Sequence, residues 1–135
     1  MRLRQLMILM LPLLLSTPAL AEEEVVAADK IAVVEAPQAD VKHGKEIFDT
    51  ICTHCHRTDY EASSVGAPGL KDVLERHSAE WINTWITSPE AFAEIDETAK
   101  DLMSSNPYGL KMPTIPEMQI EQNRKDIIEY LKTLK

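Results

Sequence analysis

The pentapeptide C-T-H-C-H, residues 52–56, contains both cysteines of the chain and two of its four histidines. A disulfide between cysteines three positions apart would close a very short loop and add little stability. Zinc would need two more ligands at suitable spacing, and a thioredoxin-like dithiol would need a βαβ setting. In C-x-x-C-H the two thiols can instead add to the vinyl groups of haem while the adjacent histidine binds iron. The motif therefore predicts a covalently attached c-type haem.

The first 21 residues have the pattern of a secretory signal peptide. Arg2 and Arg4 precede an apolar run from Leu6 to Leu15, and Ala19-Leu20-Ala21 provides small residues for cleavage after Ala21. The apolar run is shorter than the roughly 20 residues of a membrane-spanning helix. We therefore expect signal removal and export, in a bacterium to the periplasm, and a mature chain without a membrane span.

Negative charge is concentrated next to this segment. The chain has formal net charge −8, and residues 22–40 contain six acidic residues and one lysine but no glycine or aromatic residue. Such a composition predicts a flexible acidic tether ahead of a domain that occupies residues 41–135. A chain with this charge is repelled by nucleic acid, which is therefore not an expected partner.

Helical patterns dominate the remaining sequence, and no segment shows sustained strand alternation. Helices are expected at residues 41–52, 71–76, 79–87, 96–104 and 117–134, with Asp40 and Ser78 as N-caps and Pro89 closing the third. The last helix has the clearest pattern, an apolar repeat of Ile120, Ile127, Leu131 and Leu134. Since few aromatic residues are available for the core, we expect a bound haem to supply part of the buried apolar surface.

Haem iron has two axial positions, and His56 would fill one of them. A methionine thioether is a soft, uncharged second ligand that raises the reduction potential. Met112 is the predicted ligand because Pro113 keeps its segment out of helix and stiffens the loop. Met118, at the start of the last helix, is the second choice, and Met103 is expected to pack within a helix.

Residues 41–134 resemble a class I, mono-haem cytochrome c domain, and the shared motifs follow that family's order. They are Gly44 and Phe48 ahead of Cys52, then CTHCH, GAPGL at 66–70, Lys111-Met112-Pro113, and DIIEYLKTL at 126–134. The resemblance implies an all-α fold of about four to five helices wrapped around one covalently bound haem c. It also implies that Ile127 and Tyr130 cross the first helix at Gly44 and Phe48.

The same resemblance assigns roles to individual residues. Cys52 and Cys55 would form the haem thioethers, and His56 and Met112 would be the axial iron ligands. The carbonyl of Pro68 would accept a hydrogen bond from the His56 ring, which fixes the orientation of the imidazole.

The segment between the proximal and distal motifs departs from the family pattern. It is long and contains the acidic stretch EIDETAKD at residues 94–101. By resemblance Trp81 would donate its indole N–H to a haem propionate. The alternative for Trp81 and Trp85, one helical turn apart, is aromatic packing at the haem edge.

Iron with two protein ligands has no free position for a substrate, so the sequence predicts a periplasmic single-electron carrier rather than an enzyme. Its redox partners are expected to present basic docking patches, and salt should weaken the association. One alternative is an electron-relay subunit held permanently in a dehydrogenase or oxidase complex. Others are a gas-binding haem protein with an open distal site and a periplasmic thiol protein without haem.

Overall fold

The computed structural model describes residues 37–135, so the predicted signal peptide and all but the last four residues of the predicted tether lie outside it. The described chain is helical and contains no strand. Its helices are α1 Val41–Thr50, α2 Val73–Arg76, α3 Ala79–Thr87, α4 Pro89–Ala93, α5 Glu97–Ser104 and α6 Glu121–Leu131, with 3₁₀ turns at Cys52–His54 and Pro116–Gln119. None of these helices has the length and apolar character needed to cross a membrane. The prediction of an all-α fold is confirmed.

Polar side chains begin three of the helices. The carboxylate of Asp40 accepts hydrogen bonds from the backbone N–H groups of Lys42 and His43 at 2.8 and 3.2 Å. The Ser78 hydroxyl accepts from the N–H of Trp81 at 3.1 Å. These bonds satisfy N–H groups that lack partners within the helix, and both predicted caps are confirmed. Asp96 caps α5 in the same way.

Several helix boundaries differ from the prediction. Helix α2 begins at Val73 rather than at residue 71, and α6 ends at Leu131 rather than at residue 134. Pro89 ends α3 as expected, but it is also the first residue of α4, a position where the missing N–H of proline costs no hydrogen bond. The last helix begins at Glu121 rather than at residue 117, because residues 116–119 form a 3₁₀ turn and Ile120 is extended. Ile120 is 56% exposed, so its assignment to the apolar repeat was wrong, and the buried face begins at Ile127.

Helices α1 and α6 cross in close contact at Gly44. A Cβ atom at Gly44 would lie 2.0 Å from the backbone carbonyl oxygen of Asp126, so only glycine allows this approach. One turn later the fully buried Phe48 ring packs against Tyr130 with 5.1 Å between ring centroids. The predicted crossing of the first and last helices is confirmed.

A buried carboxylate reinforces this crossing. Asp126 is only 1% exposed. It accepts hydrogen bonds from the Asp40 N–H at 2.8 Å, the Gln122 side chain at 2.7 Å and Nδ1 of His43 at 2.7 Å. Burial raises the pKa of Asp126, but these three donors outweigh burial and hold it below its usual value. The hydrogen bond to Asp126 in turn raises the pKa of His43, so a charged pair links the start of α1 to α6.

The His43–Asp126 pair predicts a specific pH dependence of stability. Because the folded pKa of His43 is raised, its contribution is complete below about pH 6.5 and is lost as the pH rises through the folded value. The lowered pKa of Asp126 removes its contribution only in acid, below about pH 4. We expect the unfolding free energy of the wild type to fall from pH 6 to 8 more steeply than that of His43→Gln.

Chemical denaturation at several pH values measures this difference. Asp126→Asn is the matched companion, since it keeps the shape of the side chain and removes the charge that raises the pKa of His43. Both variants should lose the same part of the pH dependence of the unfolding free energy. Equal slopes for the wild type and His43→Gln would contradict the assignment.

Candidate haem site

The CTHCH motif forms one compact turn directly after α1. Cys52–His54 is a 3₁₀ turn, and the N–H groups of Cys55 and His56 both donate to the carbonyl of Cys52, at 3.1 and 2.8 Å. This turn ends α1 two residues before the predicted boundary at Cys52. Both thiols are free, with Cys52 half-buried and Cys55 exposed. The motif therefore brings two thiols and an imidazole together without a disulfide.

His56 is oriented by a hydrogen bond to the backbone. Its Nδ1 lies 2.9 Å from the carbonyl oxygen of Pro68, which can only accept, so Nδ1 carries the hydrogen. Nε2 then keeps its lone pair and is the nitrogen available to a metal. Burial lowers the pKa of His56 and outweighs the opposing effect of the Pro68 carbonyl. The imidazole is therefore neutral at neutral pH, the form that binds metal ions.

The loop that contains Pro68 is held on both sides. The Leu70 N–H donates to the Arg57 carbonyl at 2.9 Å, and Nη2 of Arg76 donates to the Gly69 carbonyl at 2.9 Å. Gly69 is buried, and a Cβ there would lie 2.1 Å from the Asp59 carbonyl oxygen. These contacts fix the acceptor that orients His56, an outer-shell function typical of metal-binding histidines.

The environment of Cys52 does not favour a reactive thiolate. Burial, together with the neighbouring Cys55, raises the pKa of the Cys52 thiol to about 12. Redox-active dithiols need the opposite, a thiol with a lowered pKa. The thiol-protein alternative therefore finds no support in the local chemistry.

The three methionines of the domain occupy different environments. Met118 is 2% exposed and belongs to the hydrophobic core formed by α1, α3 and α6. Met103 is half-buried on α5. Met112 is half-buried in a segment without regular secondary structure, and it packs at the edge of the same core as Cys52. Of the three, only Met112 lies in an irregular segment, is partly exposed and packs against the core that Cys52 also touches.

Trp81 already has a hydrogen-bond partner within the protein. Its indole N–H donates to the Asp96 carboxylate at 3.2 Å. Its ring stacks on His77 and Trp85, with centroid distances of 4.2 and 5.5 Å. An indole has a single N–H, so the propionate contact implied by resemblance would require the bond to Asp96 to be given up.

One buried polar atom near this site has no partner. The hydroxyl of Ser63, in the loop between His56 and Pro68, is the only buried side-chain polar atom of residues 37–135 without a hydrogen bond. Buried hydroxyls are usually paired, so Ser63 is an exception among the described residues. Ser63 follows no recognisable motif, and the sequence did not identify it.

The donor set fits a covalent haem. It comprises two unpaired thiols, an oriented neutral imidazole with a free Nε2, and a thioether at the edge of the core. No group of three or more His, Cys, Asp or Glu residues in the described part of the chain could hold a metal ion, so these residues form no zinc site. The motif and this donor set are those of a c-type haem protein.

Comparison with known proteins identifies the family. The family model for cytochrome c matches residues 41–135. The chain therefore belongs to the cytochrome c family, as a class I, mono-haem member. It carries one covalently attached haem c, and its function is haem-based electron transfer.

Relatives from plants and bacteria have comparable length. A cytochrome c from Sesamum indicum is 33% identical over 73% of this chain and 93% of its own length. Cytochrome c2 from Rhodopila globiformis is 31% identical over 74% of this chain and 98% of its own. A solved structure of cytochrome c from Rhodothermus marinus has a TM-score of 0.60 and 29% identity, covering 70% of this chain and 75% of that one.

Proposed function

We propose that this cytochrome c is a periplasmic single-electron carrier in which His56 and Met112 are the axial ligands of the haem iron. The observation that carries the proposal is the position of Met112. Its thioether lies half-buried at the edge of the core that Cys52 also contacts, while Pro113 keeps its backbone out of helix. Cys52 and Cys55 would hold the haem covalently beside His56.

Each residue of the site has a separate task in this proposal. When bound, the haem supplies an iron atom that gains or loses one electron. The Pro68 carbonyl holds the His56 ring in one orientation and keeps Nε2 free to bind. Met112 contributes a soft ligand that favours the reduced state. With both axial positions filled no substrate can bind, so we propose an electron carrier and not an enzyme.

The net charge and the amino-terminal sequence support the proposed redox partners and the proposed location. A formal net charge of −8 favours redox partners with basic docking surfaces. The signal-peptide pattern of residues 1–21 favours export to the periplasm, with residues 22–40 as an acidic tether. Recovery from the periplasmic fraction of a mature protein that begins at Glu22 would support this location, whereas an uncleaved chain would contradict it.

Methionine ligation is tested by opening the distal position. We expect the reduced wild type to exclude carbon monoxide at neutral pH. Met112→Ala removes the sulfur atom that would bind the iron. The affinity for carbon monoxide should therefore rise about tenfold or more, which corresponds to roughly 1.4 kcal/mol. Spectrophotometric titration of the reduced protein measures this change.

Met103→Leu is the matched control, because it removes another half-buried thioether and keeps the volume. It should exclude carbon monoxide like the wild type. Ready binding by the unmodified protein would contradict the His/Met assignment and would favour the gas-binding alternative.

A further inference from the structure

Two loops of the haem site are joined by the side chain of Asn106, which the sequence analysis did not single out. The proximal loop, residues 63–68, ends at the carbonyl that orients His56. The distal loop, residues 105–110, leads directly to Met112. Between them, Nδ2 of Asn106 donates a hydrogen bond to the carbonyl of Val65 at 2.9 Å, across 41 positions of sequence.

Asn106 also determines the shape of the distal loop. Its Oδ1 accepts hydrogen bonds from the backbone N–H groups of Tyr108 at 2.8 Å and Leu110 at 3.3 Å. The chain can turn in this way because Gly109 has φ +71, a conformation that other residues rarely adopt. The amide side chain thus donates to the proximal loop through its nitrogen and accepts from the distal loop through its oxygen.

The two loops fit closely around this bond. Gly66 has φ +76, and a Cβ atom there would lie 2.9 Å from Cδ of Pro107 and 3.0 Å from Nδ2 of Asn106. The absence of a side chain at Gly66 therefore allows Asn106 to reach the Val65 carbonyl. The contact depends on the backbone conformation of both loops.

This bond has no parallel elsewhere between the two sides of the site. Among the hydrogen bonds of residues 37–135, it is the only one that joins residues 55–72 to residues 105–119. We propose that Asn106 is a positioning residue that fixes the Met112 loop against the His56 loop and so keeps the distal coordination position closed. The inference rests on the proposed His/Met ligation.

The proposal concerns access to iron rather than the overall stability of the fold. The distal loop carries no other hydrogen bond to the proximal loop. Loss of the Asn106 bond would therefore loosen residues 105–110, which lead to Met112, from the His56 loop while α1 and α6 remain paired. An external ligand would then compete more effectively for the distal position. A carrier benefits from a closed position because its coordination then stays the same in both oxidation states.

Imidazole binding to the oxidised holoprotein tests the proposal. Asn106→Ala should bind imidazole about tenfold more tightly than the wild type, since each lost hydrogen bond weakens the closed loop several-fold. Asn106→Asp keeps the acceptor for Tyr108 and Leu110 but has no N–H for Val65, and it should show a similar gain. Ser105→Ala, which removes a hydroxyl bonded only to the Leu102 carbonyl, is the control and should leave the affinity unchanged.

A double-mutant cycle with Met112→Ala decides whether Asn106 affects imidazole binding through Met112. If it does, Asn106→Ala adds no further gain in the Met112→Ala background. Wild-type affinity in Asn106→Asp, or an equal gain in both backgrounds, would overturn the proposal while leaving His/Met ligation intact. If Met112→Ala itself bound imidazole no better than the wild type, the ligand assignment would fail instead. Thermal unfolding of each variant separates changes in imidazole affinity from loss of the fold. If Asn106→Ala does not fold, Asn106→Asp takes its place in the cycle.

Discussion

Replacement of both Cys52 and Cys55 by alanine is expected to abolish covalent haem attachment completely. The two sulfur atoms are the only thiols of the chain, and a thioether cannot form without them. His56 would remain oriented by Pro68, but a single axial imidazole does not retain haem through denaturation. Haem staining after denaturing electrophoresis should therefore give no signal, and intact-protein mass spectrometry should show the bare polypeptide.

Loss of the haem should also lower the yield of folded protein. The core of residues 37–135 is small, and a domain of this size has little apolar surface in reserve. Thr53→Ala is the matched control in the same turn. Its hydroxyl bonds the Asp49 carbonyl and takes no part in attachment, so haem staining should match the wild type. Staining of the double-alanine variant, or equal loss in Thr53→Ala, would contradict the assignment.

Gly44→Ala should cause the largest loss of stability among single substitutions that leave the haem ligands untouched. The new methyl group would lie 2.0 Å from the Asp126 carbonyl oxygen and 2.5 Å from its carbon. Both are backbone atoms, so no rotamer change can relieve the clash and α1 must move away from α6. Since that separation also disturbs the buried Phe48 contact, we expect a loss of about 4 kcal/mol.

Gly109→Ala provides the matched control for this prediction. No heavy atom lies within 4 Å of a Cβ at Gly109, so its cost comes only from the φ of +71. That cost is about 1–2 kcal/mol. Denaturant unfolding of the two holoproteins measures the difference. If Gly44→Ala were no less stable than Gly109→Ala, the tight helix crossing would be wrong.

Local patterns predicted those parts of the fold that depend on neighbouring residues. Asp40 and Ser78 cap helices because a short polar side chain can reach the next turn from its own position. The CTHCH motif likewise carries its chemistry within five residues. The crossing at Gly44 came from resemblance, since nothing in its own sequence neighbourhood shows which segment will approach it.

Contacts across long sequence separations were not predictable in this way. Nothing in the sequence around His43 identifies its partner Asp126, which lies 83 positions away and is buried where α1 and α6 cross. The sequence likewise did not predict the hydrogen bond from Trp81 to Asp96, which joins α3 to the N-cap of α5 across 15 positions. Asn106 lies in a polar loop, and its partner Val65 belongs to a loop without any regular pattern.

The pairing of α1 with α6 also bears on the order in which contacts form as the chain folds. The hydrogen bond between Asp40 and Asp126 spans 86 positions, and α6 emerges after all the other described helices. Contacts between such distant segments form slowly because a long loop must close first. CTHCH follows α1 directly and is therefore exposed early, in a chain that still lacks its closing partner. This arrangement leaves an interval in which the thiols are accessible for haem ligation before the domain closes around them.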